Sequence, residues 1–429
     1  MCPLLCAIAL IGTQPDPSTA WLRMHAAPIP DPDALSPQTE RALERAIGSS
    51  RVVMLGELTH GDGTSFRLKT RVVKFLHRKM GFDVLIWESG LYDCAMMDAA
   101  LSGPLPIRKV ARMGVFRHWS TAAESLPIFD YARRTRGTVR PLRMAGFDLQ
   151  PSGSGSGRQF ETMLGWFDGR PELSATDRAL IRAAQADVER NPRSMALVNT
   201  GPLFLKAYEA NPIFFDEANP IFFDRAWPEP AFRRRVLVSA ARYAEMMALE
   251  RERQLGNVPF AVPYNLREKV NAENLLALLE GPFRGRKAIV WAHNTHVFKG
   301  LPGRGAGVGL TPGPTEPDSM TRLVAPKLGY GLYSIGVVAF QGSWSWLGGL
   351  PIRYHDAHPE SLEASLRSLG HRQAFLDLRS VPRRHPLRAP RIGLIDQQNP
   401  WPLTLAWADG FDGLLYVDTM VPRVQLGSR

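Results

Sequence analysis

The sequence predicts an α/β fold: a central, largely parallel sheet flanked by helices, with an inserted helical region that forms a cleft. Three observations carry this reading. The runs RVVMLGE (51–57), DVLIWESG (83–90) and KAIVWAHN (287–294) are short, apolar and rich in β-branched residues, as buried strands are. A loop and a helical pattern join the first two, which is the strand–helix–strand order of a parallel sheet. Residues 158–280 read mostly as helix and separate two stretches of α/β texture.

Residues 1–35 form a leader segment, read as irregular. Its start, MCPLLCAIALIG, is apolar but short, and lacks a basic n-region and a clear cleavage site. It reads as a ragged terminus, with an export signal as the lesser alternative, so the expected location is cytoplasmic. The first part of the α/β core spans residues 36–150. Ser36 is a plausible N-cap, Pro37 fits the first turn, Glu40 lies near the exposed amides and Gly48 ends the helix. After strand 51–57 comes the turn-rich LTHGDGTS. A helix follows from Phe66 to Met80, with Val72, Val73, Phe75, Leu76 and Met80 as its apolar positions, and Gly81 stops it. Strand 83–90, a helix at 121–136 and a strand at 142–147 complete this part.

Residues 151–285 are the helical insertion or cap. It opens on PSGSGSG (151–157), flexible by composition, and its clearest helices are 174–190, 231–253 and 267–280. An octapeptide starting at Asn211 recurs at Asn219, identical at seven of eight positions. That unit is too short for a solenoid and reads as a local duplication. Its Phe214, Phe215, Phe222 and Phe223 read as packing aromatics, with a substrate entrance as the alternative. Residues 286–420 are the second part of the core. They hold strand 287–294, a Gly/Pro-rich surface or lid loop at 300–316, strands near 331–340, 373–378 and 413–418, and a helix near 360–369. Residues 421–429 are a C-terminal tail.

Composition excludes several classes. The net charge of +11 is spread over scattered arginines, without a basic block, paired-cysteine finger or basic zipper, so no nucleic-acid partner is expected. The charge is compatible with a basic rim for an anionic ligand. Cys2, Cys6 and Cys94 give neither a disulfide framework nor a zinc finger. No run reaches the 18 or so apolar residues of a membrane helix. No phosphate-binding loop and no G-x-S-x-G elbow is present.

The chemistry-bearing residues stand at strand ends, where open α/β sheets place functional groups. Glu57 closes the first strand, and His60 follows in a turn made possible by Gly61 and Gly63. Glu88 ends the second strand after four apolar residues, a costly place for a carboxylate without partners. His293 and His296 follow strand 287–294 at a spacing that suits acid–base work or metal ligation. On the helical segment YNLREKVNAENL, Arg267, Lys269 and Asn274 are polar. Arg267 can clamp a carboxylate, stabilise an oxyanion, or salt-bridge Glu57 or Glu88. Lys69 can point back to the site from its helix. His118, Asp148, His355, His358 and His371 read as surface or structural residues.

Together E57-L-T-H-G, the strand-end Glu88, R267-E-K-V-N-A-E-N and W291-A-H-N-T-H-V, in that order, resemble the erythromycin esterase family, from about residue 50 to about 420. The resemblance implies an α/β core with inserted helices around a deep cleft. It also implies hydrolysis of an ester or lactone of a bulky small molecule by histidine-activated water, with no acyl-enzyme and no cofactor. His60 then corresponds to the general base, Glu57 and Glu88 to the carboxylates that tune it, and His293 and His296 to the histidines across the cleft. Arg267 and Lys69 match basic positions near the site. The chain departs from the HG-x-x-E-F pattern of macrolide esterases at Thr64, with Asp62 two residues away, so a non-macrolide ester, lactone or amide is as plausible a substrate. Two alternatives stand beside this reading: a metal-dependent hydrolase with His60, His293, His296, Glu57 and Glu88 as ligands, and a non-catalytic protein for a bulky ligand such as a tetrapyrrole.

Overall fold

The computed structural model describes residues 17–30, 34–154, 156–191, 194–196, 198–211, 230–300, 316–347, 349–353, 356–396 and 403–427. The repeat phenylalanines, the loop residues 301–315, His355, Cys2 and Cys6 lie outside them.

Strands β1 (Ala27–Pro28), β2 (Val52–Leu55), β3 (Phe82–Gly90), β4 (Arg143–Asp148), β5 (Lys287–Trp291), β6 (Leu332–Trp344), β7 (Ile352–Arg353) and β8 (Gln373–Asp377) precede a short ribbon. The ribbon pairs β9 (Arg391–Gly393) with β10 (Leu403–Leu405), and β11 (Gly413–Met420) follows. The main sheet runs β1-β8-β11-β6-β2-β5-β3-β4, with β7 paired to β6. Along that path from β11 to β4 the neighbours are parallel, while β8 and β1 add an antiparallel edge and β7 pairs antiparallel with β6. The mixed, mostly parallel sheet flanked by helices is the class that the strand runs indicate.

The central strands β2, β3 and β5 are mostly apolar because both faces are covered. Val52 and Met54 enter one core and Val53 and Leu55 the other; Val84 and Ile86 are likewise opposed to Leu85 and Trp87.

Asp62 caps the helix Gly63–Met80, its carboxylate accepting from the Thr64 and Ser65 amides, so this helix starts three residues before Phe66. The expected helix at 121–136 is shorter, Leu126–Thr135, and a separate short helix, Arg117–Ser120, precedes it. Pro127, lacking an amide donor, fits only the first turn of Leu126–Thr135. In the insertion, helices Ala175–Arg190, Pro230–Gln254 and Ala261–Glu280 match the periodic stretches, the last starting earlier because Pro263 sits in its first turn.

Three segments read as irregular are tied down. Within the leader, residues Pro17–His25 form a helix and β1 pairs with β8, because Trp21, Leu22 and Ile29 have core to fill. In PSGSGSG, the Ser152 hydroxyl accepts from Gly90 N (2.8 Å), and Asp93 accepts from the Ser152 and Gly153 amides (2.7 and 3.2 Å). A Cβ at Gly153 would stand 1.7 Å from the Met113 carbonyl oxygen, so glycine is required there. The C-terminal tail crosses the loop after β2. Gly63 N donates to Val421 O (2.9 Å), Val421 N to Thr64 Oγ1 (3.0 Å) and Arg423 N to Gly61 O (3.0 Å). Thr64 thus holds the tail, while Asp62 is committed to its cap.

Candidate active site

Register brings the site together. Leu55 pairs with Trp291 and Trp291 with Trp87, so the ends of β2, β5 and β3 lie level and adjacent. Beyond that line stand Glu57, His293 and Glu88. Asp148 closes β4, one strand further along. The helix Ala261–Glu280 passes over these ends, and Glu268, Asn271 and Asn274 share its buried face. Gly56 lets β5 approach: a Cβ there would stand 2.1 Å from Asn294 Oδ1, which accepts from Val337 N (3.0 Å) and ties β6 to the site.

Glu57 is fully buried and meets four donors. His60 Nδ1 lies 2.8 Å from Oε1 and Lys69 Nζ 2.7 Å from Oε2, while the indoles of Trp119 and Trp291 each donate at 3.0 Å. Burial alone would raise its pKa, but Lys69 and His60 hold it below the ordinary value, so it is ionised. Lys69 is equally buried, 4.3 Å from the centre of the Trp291 ring, and burial lowers it to about 8 against the pull of Glu57.

With Glu57 on Nδ1, the tautomer that donates from Nδ1 leaves Nε2 open to accept a proton. Nε2 points toward Glu88 Oε1, 3.8 Å away. Glu88 accepts from His293 N (2.8 Å), Arg267 Nη2 (3.1 Å) and His296 Nε2 (2.9 Å). Burial opposes its charge, yet His296, His60 and Arg267 keep it well below the usual carboxylate range.

The remaining histidines differ from His60. His293 donates from Nε2 to Leu58 O (2.9 Å) and faces Thr295 with Nδ1 (3.0 Å), so both nitrogens are engaged, and burial lowers its pKa. His296 lies between Glu88 and Glu268, the latter 2.6 Å from Nδ1. Burial resists its charge, but the two carboxylates raise it to about 10, an imidazolium at neutral pH. Arg267 binds Asp148 through Nε (3.2 Å) and Nη2 (2.5 Å) as well as Glu88.

All seven residues singled out, His60, Glu57, Glu88, His293, His296, Arg267 and Lys69, are within this one network. Lys269 is exposed, whereas Asn274 is buried and donates to Phe147 O. The network also contains residues the sequence reading passed over. Asp148 ends a strand just as Glu88 does, and that rule applied to β4 would have found it. Glu268 could have been found one position from Arg267, on the face shared with Asn271. His118 stacks on His60 with ring centres 5.2 Å apart, its Nδ1 buried without a hydrogen-bond partner, and burial drives its pKa to about 3. Trp119 carried no signal. The donor set does not fit the five-ligand metal alternative. Both nitrogens of His293 and of His296 face protein groups, and Glu57 is saturated by four donors. Among the described residues no three His, Cys, Asp or Glu side chains are grouped so as to hold a metal ion.

An ionised strand-end carboxylate orienting a histidine, with counter-charges locked around it, is an arrangement suited to acid–base chemistry. The sequence profile of the erythromycin esterase family matches residues 77–420, and the chain belongs to that family. It is 23% identical over 437 residues to the Bacillus subtilis (strain 168) protein named "Putative hydrolase YbfO", covering 94% of this chain and 91% of that one. Its fold is that of a Bacillus cereus protein (TM-score 0.70, 19% identity, 96% and 98% of the two chains). It is also that of a histidine-to-asparagine mutant of erythromycin esterase EreC in its open conformation (TM-score 0.71, 13% identity, 94% and 98%). Among the described residues no helix is long and apolar enough to cross a membrane.

Proposed function

We propose that the protein hydrolyses a carboxylic ester or lactone of a bulky small molecule by direct attack of water activated by His60. The observation that carries this reading is the 2.8 Å contact between His60 Nδ1 and an ionised Glu57, which leaves Nε2 as the base. Nε2 takes a proton from water as the water oxygen attacks the carbonyl carbon. Glu57 stabilises the imidazolium that forms. Two of the three guanidinium nitrogens of Arg267 hold carboxylates, which leaves Nη1 for the oxyanion. The tetrahedral intermediate then collapses, the carbon–alkoxide bond breaks, and the proton on Nε2 passes to the leaving alkoxide. Acid and alcohol result.

The charge states favour His60 over its neighbours as the returning acid. Glu88 is ionised, and His296, at about 10, is a reluctant donor. Lys69 and His293 serve by holding Glu57 and the β2–β5 loops in place, since their polar atoms are committed inside the protein. The test is a panel of lactones and esters with wild type and His60→Ala, with metal content measured on the same samples. Turnover that needs His60 and survives chelation sustains the reading; a chelator-sensitive activity, or an active His60→Ala, ends it.

A further inference from the structure

The connection from β6 to β7 leaves four large apolar side chains in solvent. Trp346 is 38% exposed, Leu347 39%, Leu350 86% and Ile352 43%. Isolated exposed apolar residues are common, but four within seven positions form a patch that needs an occupant.

Two observations fix where this patch sits. Ser345 N donates to Gly61 O (3.2 Å), so the connection is attached to the residue next to the proposed base. The Trp346 ring then lies 4.8 Å from the His118 ring and 6.3 Å from that of His60, while His118 and His60 are themselves 5.2 Å apart. His60, His118 and Trp346 are thus mutual neighbours, and Ile352 joins them through Trp344, its strand partner, whose ring lies 5.7 Å from that of Trp346.

The charges beside it indicate the kind of occupant. Lys69 is matched by Glu57, Arg267 by Asp148 and Glu88, and His296 by Glu88 and Glu268. His118, the ring between ledge and base, is neutral at ordinary pH. Those three cations are therefore each engaged by carboxylates within the protein, while the ledge offers contact area to hydrocarbon.

Resting on the hydrolase reading above, we propose that the β6–β7 connection is the subsite for the substrate's body, and that the substrate is an uncharged ester or lactone with an extended apolar chain. Trp346, Leu347, Leu350 and Ile352 are then specificity-determining residues.

The test compares p-nitrophenyl acetate, butyrate, octanoate and hemisuccinate as substrates. In wild type, kcat/KM should rise about 30-fold or more from acetate to octanoate, since each buried methylene adds to binding, and butyrate should exceed hemisuccinate. In the double variant Leu350→Ser/Ile352→Ser the octanoate-to-acetate ratio should fall at least about fivefold. Leu255→Ser, another exposed leucine, should keep the wild-type ratio. An unchanged ratio in the double variant, or a preference for hemisuccinate, overturns the proposal. Calorimetric titration with 2-decanone, uncharged and without an ester bond, separates the two readings. If no ester is cleaved but 2-decanone binds wild type and binds the double variant at least about fivefold more weakly, the ledge stands and the hydrolase reading fails. Absent or equal binding overturns the ledge.

Discussion

The ends of β2 and β5 lie side by side, each closing a buried strand and each followed by histidine, yet they hold their rings in opposite conditions. At the β2 end, His60 has one nitrogen on Glu57 and the other directed across 3.8 Å toward Glu88. At the β5 end, His293 has both nitrogens engaged and His296 is held as a cation between two carboxylates. Spacing after a strand brings a histidine to the site; what meets its second nitrogen decides whether it can act as a base.

The largest effect should come from removing the ring that is free. His60→Ala is expected to lower kcat by about 10³-fold, within the range of general-base losses, and to move Tm by no more than about 2 °C. Kinetics and a melting curve on one preparation check both. A His60→Ala enzyme that keeps its turnover would erase the distinction drawn between the two ends.

His296→Ala inverts the pattern. It leaves Glu88 and Glu268 buried beside one another without the cation between them, and should cost about 3–5 kcal/mol in denaturant unfolding. A variant as stable as wild type would show that His296 is not a structural cation.

The pH dependence sharpens the same contrast. His296 rises from 6.5 to about 10 on folding, so its stabilisation is complete below pH 6.5 and is lost as pH climbs through 10. Lys69 has the opposite sign. Lowered to about 8, its buried charge costs stability until it is released between 8 and its unfolded value near 10.5. Between pH 6.5 and 8, then, His296 acts without that offset. Wild-type stability should fall across this window, and His296→Ala should lose the His296 share of the slope. Equal slopes in the two proteins would contradict the assignment. Activity should also decline above about pH 8, as Glu57 loses its cation.

The smallest effect expected is that of Trp119→Phe, which removes one of four donors to Glu57. A loss of about three- to tenfold in kcat is anticipated, the scale of one ordinary hydrogen bond. No change would mean that the remaining three donors suffice.

The sheet was legible because strands buried on both faces read as unbroken apolar runs, and Glu57, His60 and Glu88 stood out because a Glu or His at the end of such a run has few structural explanations. Asp148 was overlooked although it obeys the same rule, since β4, with Arg143 and Gly146, is a weaker apolar run. Trp119 and His118 lay beyond reach for another reason. They come from a short helix between β3 and β4, and only tertiary packing brings it over β2. The tie-down of 152–153 was hidden by composition: Gly and Ser suggest a linker, but Gly153 is there because Met113 leaves no room for a side chain. The roles of His293 and His296 depended on Leu58 O and Glu268, contacts that no local pattern encodes.

The clamp of residues 421–423 on the loop that bears His60 has a consequence for assembly. Thr64 and Val421 are 357 residues apart in the chain and bonded to one another. Contacts of such separation are expensive to close and form late. A folding chain can therefore dock its early helices and β2 while the loop that bears His60 is still without its final support. His60 would take its place last, when β11 is laid down, so that a partly folded molecule holds its sheet before its site.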